Sequence, residues 1–150
     1  MNVIFLDIDG VMLSYHSIRL GMLLPFWKEP YLSWTALRAL RYLARKSQGQ
    51  VVIISSWRGC GPPYEAIKAA LARNGTPVWG ETPWLEDGAQ DRSDEIFAWL
   101  REHPTCHYVV LDDNDRFQNR ISVRSHWIPV NAMVGLTMKN ARQALRYFER

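Results

Sequence analysis

Val3-Ile4-Phe5-Leu6-Asp7-Ile8-Asp9-Gly10-Val11 sets four consecutive apolar residues directly before two acids one residue apart and a glycine. An unbroken apolar run of this length reads as a strand covered on both faces, as in a parallel sheet sandwiched between helices. Val51-Val52-Ile53-Ile54 and Tyr108-Val109-Val110-Leu111 read the same way. Thr76-Pro77-Val78-Trp79 and His126-Trp127-Ile128-Pro129-Val130 are weaker strands, since proline removes a ladder donor and favours an edge.

Helix-period segments separate these runs. Ser33 is placed to cap a helix through Lys46 with Trp34, Leu37, Leu40 and Ala44 inward. Tyr64 to Arg73 gathers Ile67, Ala70 and Leu71 on one face, and Asn74-Gly75 stops it. Ser93 is placed to cap a third helix, with Asp94 and Glu95 favourable in its first turn. Thr137 precedes a fourth, carrying Ala141, Ala144, Leu145 and Phe148. Strand and helix thus alternate, which predicts an α/β fold: a mostly parallel five-stranded sheet with helices on both faces.

The chain has 150 residues, 47% hydrophobic and 22% charged, with net charge +3 and a pI near 9.0. This is the size of one domain spanning 1–150, and no repeat or linker divides it. The apolar fraction excludes disorder, no run is long enough to cross a membrane, and the N-terminus lacks the basic region of a signal peptide. Cys60 and Cys106 form neither a disulfide framework nor a zinc motif, so two reduced thiols in a cytoplasmic protein are expected. Of 18 basic residues 14 are arginine, a balance that permits phosphate or nucleic-acid partners.

In parallel sheets ligands bind beyond the carboxyl ends of the strands. There the sequence delivers Asp7 and Asp9 after the first strand, Ser55 and Ser56 after the second, and Asp112, Asp113 and Asp115 after the fourth. Acids gathered in one cleft repel one another and raise each other's pKa. A hard divalent cation relieves that repulsion, and Mg²⁺ prefers such oxygen ligands. Helix-start and loop acids could produce one such motif; two motifs at the ends of separate strands favour a metal site.

Asp7-Ile8-Asp9-Gly10-Val11 after an N-terminal strand resembles motif I of the haloacid dehalogenase (HAD) superfamily, and further motifs follow in that family's order along nearly the whole chain. The resemblance implies a HAD-like Rossmannoid three-layer sandwich and a phosphatase. Asp7 would be the nucleophile that forms an aspartyl-phosphate. Asp9 would act as general acid and base, its backbone carbonyl also reaching Mg²⁺. Gly10 would allow the tight turn, and Ser55, with Ser56 as alternative, would hold a phosphate oxygen. The motif III cation would be Arg92, with Arg58 and Lys68 as competitors. Asp113 would bind Mg²⁺ with Asp112 behind it, and Asp115 would either orient a water or cap the next loop. The set Ile54-Ser55-Ser56-Trp57-Arg58, Arg92-x-x-Glu95-Ile96, Leu111-Asp112-Asp113 and Gly135-Leu136-Thr137 is similar to the small HAD domain of multi-domain RNA-repair proteins. That implies a polynucleotide-end or nucleotide phosphatase.

Cap domains in this family lie after motif I or between motifs II and III. Residues 13–32 leave room only for a squiggle and a β-hairpin flap, so a capless, open site is expected. The flap carries Tyr15, His16, Arg19, Phe26, Trp27, Lys28 and Tyr31, which suit either base stacking or packing. Trp79 and Trp84 are expected in the core. Arg38, Arg41 and Arg45 form a stripe that reads as a solvated helix face, and Arg116, Arg120 and Arg124 could line a nucleic-acid path. Two other readings remain: a sugar-phosphate phosphatase or 5′-nucleotidase, and a non-catalytic HAD domain that binds a phosphorylated partner. A receiver domain is excluded, because Trp79-Gly80-Glu81 offers no phospho-acceptor aspartate.

Overall fold

The first apolar run becomes the central strand. The computed structural model describes residues 1–24, 30–85, 91–105 and 107–149. β1 (Asn2–Leu6) lies between β2 (Gln50–Ile53) and β4 (His107–Asp112), with β3 (Val78–Glu81) and β5 (Trp127–Pro129) outside, in the order β3-β2-β1-β4-β5. Every pairing is parallel. Both proline-weakened strands are therefore the edges, and Pro129 sits in one of them.

Period-2 alternation divides the core in two. Ile4, Leu6, Val51, Ile53, Val109 and Leu111 face one layer of apolar packing. There they meet α2 (Trp34–Ser47), α3 (Pro62–Arg73) and α6 (Met138–Leu145) through residues such as Leu40, Ile67 and Ala141. Val3, Phe5, Val52 and Val110 face the other layer, under Ile96 and Trp99 of α4 (Arg92–Glu102) and Val123 of α5 (Ile121–Arg124). Phe5 and Trp99 meet edge to face, ring centres 5.4 Å apart. The result is the expected three-layer sandwich.

Four local expectations need correction. The described part of the flap is a helix, α1 (Tyr15–Leu23), rather than a hairpin. Ser14 and Ser17 each bond the other's backbone N–H in a capping box, which nucleates a helix where no strand alternation competes. Phe26, Trp27, Lys28 and Cys106 lie outside the described residues. Trp34 is 62% exposed, because Ser33 caps α2 and leaves Ala36, Ala39, Leu40 and Leu43 as its inward face. Trp79 and Trp84 are 48% and 56% exposed: one lies on an edge strand, and the other covers two arginines described below. Asp91, not Ser93, caps α4, accepting from the Ser93 backbone N–H at 2.9 Å. Arg92 thereby becomes the first helical residue.

No helix among the described residues is long and apolar enough to cross a membrane.

Candidate active site

The order of strands reverses between β1 and β4, the point where a crevice opens at the carboxyl ends. Leu6 pairs with Leu111 in register, and the Asp7 backbone N–H donates to the Leu111 carbonyl at 3.0 Å. The next residue on each strand is an acid, so Asp7 and Asp112 are forced side by side. Both are buried. Asp113 follows and is half-buried. One carboxylate oxygen from each of Asp7, Asp112 and Asp113 lies within 4.8 Å of the others.

Gly10 makes this approach possible. Its φ is +76°, and a Cβ there would lie 2.5 Å from both Cγ and Oδ2 of Asp113. Any side chain would therefore strain the backbone and push Asp113 out of the cluster. Beyond Gly10 the chain closes a tight loop in which the Val11, Met12 and Leu13 N–H groups converge on the Ile8 carbonyl.

Among the described residues, one cation enters the cluster. Arg116 Nη2 lies 3.3 Å from Asp7 Oδ2 and 3.3 Å from both Asp112 oxygens. Its Nε is buried without a hydrogen-bond partner, so this guanidinium retains an unused donor inside the site. The sequence offers Arg116 only for a nucleic-acid path with Arg120 and Arg124, not for the acid site. The i+4 spacing from Asp112 was the available signal.

Burial pushes the Asp7 carboxyl up to about 7, and the Asp112 charge adds to the rise. Arg116, the Ile8 N–H and the Ser55 hydroxyl oppose it. Burial likewise raises Asp112 to about 6, against Arg116 and the Asn114 N–H, which donates at 2.8 Å. Three acids against one guanidinium is an excess of negative charge in a crevice that buries two of them. A set of carboxylate oxygens alone is the donor chemistry of Mg²⁺, so these residues fit that ion.

The other candidates fall into separate groups. Ser55 is buried beside Asp7, whereas Ser56 is exposed. Asp9 is exposed and lies outside the converging trio, at the mouth of an apolar recess of about 520 Å³. Leu13, Ile18, Tyr31, Trp57 and Pro62 also line that recess. Arg58 is buried and committed: Nε donates to the Ser55 carbonyl at 2.8 Å, Nη1 to Thr82, and Nη2 to Glu95 Oε2 at 2.8 Å. Arg92 reaches the same Glu95 oxygen at 3.1 Å. Trp84 covers both guanidinium groups, at 4.2 Å from Arg58 and 5.7 Å from Arg92. Lys68 sits on α3, paired with Glu65 at 2.8 Å and lying over the Tyr64 ring. Asp115, Arg120 and Arg124 are drawn into surface pairs, Asp115 with Arg124 and Arg120 with Asp94.

A family model for the HAD domain in Swiss Army Knife RNA repair proteins matches residues 3–141. The chain belongs to that family. Neither curated proteins nor solved structures give a match. Membership in the HAD family agrees with the five-stranded parallel sheet, and at the superfamily level it supports a HAD-type phosphohydrolase. The acid cluster of this HAD domain sits where the sheet itself predicts a ligand site.

Proposed function

We propose that this HAD domain is a Mg²⁺-dependent phosphohydrolase that removes a phosphate monoester from a nucleotide or a nucleic-acid end. The observation that carries the reading is the convergence of Asp7, Asp112 and Asp113 around the Arg116 guanidinium at the β1/β4 crevice. A carboxylate oxygen of Asp7 attacks phosphorus, the bond to the leaving oxygen breaks, and an aspartyl-phosphate forms. Asp9 gives its proton to the leaving oxygen, then takes one from the water that cleaves the acyl phosphate. Ser55 and Arg116, the hydroxyl and the cation nearest Asp7, hold the phosphoryl oxygens. Asp7, Asp113 and the Asp9 carbonyl would hold Mg²⁺, with Asp112 behind them. The ion would offset the negative charge shared by nucleophile and phosphate.

The recess beside Asp9 supports a planar, apolar leaving group such as a nucleoside. Trp57→Ala is expected to lower kcat/KM for a mononucleotide about tenfold relative to that for glycerol phosphate, the scale of one lost stacking contact. Steady-state kinetics on both substrates check this. Unchanged selectivity would remove the recess from the substrate path.

The raised carboxyl pKa values make the metal's effect depend on pH. Asp7 and Asp112 keep protons in the native state that the unfolded chain has already lost. Their contribution to stability is therefore full below about pH 4 and is lost as pH rises through 6 to 7. Mg²⁺ requires the ionised carboxylates, so it restores stability only above that window. At a hundredfold excess over its dissociation constant it should raise the melting temperature by about 5–10 °C at pH 8. At pH 5 the gain should be at most about 2 °C on the same scale. An equal shift at both pH values, or in Asp113→Asn, would place the ion elsewhere.

The defining experiment is phosphate release with Mg²⁺ from mononucleotides, sugar phosphates, and oligonucleotides phosphorylated at the 3′ or 5′ end. Release from nucleotides or oligonucleotides supports the reading. Release from sugar phosphates alone would correct the substrate, and release from none would make this a binding domain.

A further inference from the structure

α2 and α6, the two helices packed together on one face of the sheet, carry basic residues and no acid. Arg38, Arg41, Arg45 and Lys46 are exposed on α2, as are Lys139 and Arg142 on α6. None of these six forms an ion pair or side-chain hydrogen bond among the described residues, whereas Arg58, Arg92, Arg116, Arg120 and Arg124 all do. Solvated arginines on an ordinary helix face are commonly interspersed with acids at i+3 or i+4. Here such partners are absent from both helices.

The charges also share a shape. Arg38, Arg41, Tyr42, Arg45, Lys46 and Met138 line a cleft of about 500 Å³. The three arginines succeed one another by about 4.5 and 6 Å along the helix axis. They form a line of cations with a half-buried tyrosine ring beside them. The starts of both helices are tied to the loop that follows Asp9: the Ser33 N–H donates to the Met12 carbonyl and the Leu136 N–H to the Val11 carbonyl, each at 2.8 Å. The cleft therefore leads away from the rim of the acid site.

We infer that this cleft binds the phosphate backbone of a single-stranded nucleic acid whose end lies at the Asp7 site. The inference extends the proposed function from a mononucleotide to a polymer, and it rests on that reading only for the position of the strand's end. A linear run of guanidinium groups with an aromatic ring suits a strand of phosphates and bases. A bilayer surface suits it less. Membrane-seeking helices present apolar side chains beside their cations, and no large exposed apolar residue occurs from Thr35 to Ser47 or from Met138 to Glu149.

The test is fluorescence anisotropy with a labelled single-stranded RNA of about 12 nucleotides lacking terminal phosphates, at ionic strengths from about 50 to 200 mM. With four phosphates neutralised, affinity should fall about 50-fold across that range. Arg38→Gln/Arg41→Gln/Arg45→Gln should bind at least about tenfold more weakly at low salt and lower the log–log salt slope by about 2. A control on the opposite layer, Arg101→Gln on α4, should change affinity less than about twofold, and melting curves of each variant report its fold. Asp7→Asn should retain RNA affinity even if it loses hydrolysis. That outcome separates this inference from the catalytic one. Wild-type protein that ignores RNA, equal binding by the triple variant, or binding to phosphatidylserine vesicles in place of RNA would overturn it.

Discussion

Asp7→Asn should stop phosphate release, lowering kcat by at least about 10⁴, and should at the same time raise the melting temperature of the metal-free protein at pH 8. The first effect follows from the nucleophile's role. Asparagine keeps the shape but cannot form the acyl phosphate, and loss of a nucleophile typically costs this much or more. The second follows from burial. Asp7 is only 2% exposed, and its carboxyl is pushed up to about 7 by desolvation and by Asp112. A shift of that size means that holding Asp7 ionised at pH 8 costs the native state about 2–4 kcal/mol. The amide removes that cost, although it also weakens one contact to Arg116, so a gain of about 2 kcal/mol is the expected balance. The gain should vanish below about pH 3, where the aspartate is protonated in both states. Quenched-flow trapping of a phosphorylated peptide containing Asp7 would identify the nucleophile directly. Retained turnover would sink the mechanism. A lower melting temperature at pH 8 would show that Asp7 is held for stability rather than against it.

The opening stretch of sequence carried most of what the structure contains. Val3 to Leu6 is a strand buried on both faces because every residue in it is apolar, and Val51 to Ile54 repeats the pattern. Asp7 and Asp112 became neighbours through register alone, which the paired strand-plus-acid motifs foretold. Legibility ended where packing decides between alternatives that look alike in sequence. The 13–32 segment reads as a flap by length, but the Ser14–Ser17 capping box makes its described part helical. Trp34, Trp79 and Trp84 are apolar enough for a core, yet their places at a helix start, an edge strand and a loop leave them exposed. The cations were hardest to assign. Any of Arg58, Lys68, Arg92 and Arg116 could reach a phosphate by sequence position, and only the three-dimensional pairing shows which of them have carboxylate partners elsewhere.

That pairing leads to a second large effect, at a residue with no direct part in the chemistry. Glu95→Gln should destabilise the protein by about 3–5 kcal/mol, the usual cost of breaking a buried ion pair from one side. Glu95 is the shared counter-charge of Arg58 and Arg92, and all three side chains are nearly fully buried. Without it two guanidinium groups stay desolvated against each other under Trp84. The damage should reach the acid site through two backbone contacts. Arg58 Nε holds the Ser55 carbonyl, and the Arg92 backbone N–H holds the Arg116 carbonyl at 2.7 Å. Glu95 is thus a positioning residue: it fixes the turn bearing Ser55 and the loop bearing Arg116. Replacing the pair together, as Arg58→Met/Glu95→Gln, should recover part of the stability because one stranded charge is gone, while kcat stays low for want of the Ser55 tether. Urea denaturation and steady-state kinetics on the two variants read these effects separately. Arg92→Met completes the comparison. If Arg92 serves only this network, its loss should lower stability and leave KM nearly unchanged; a KM increase above about tenfold, the scale of a lost charged hydrogen bond, would return it to the phosphate.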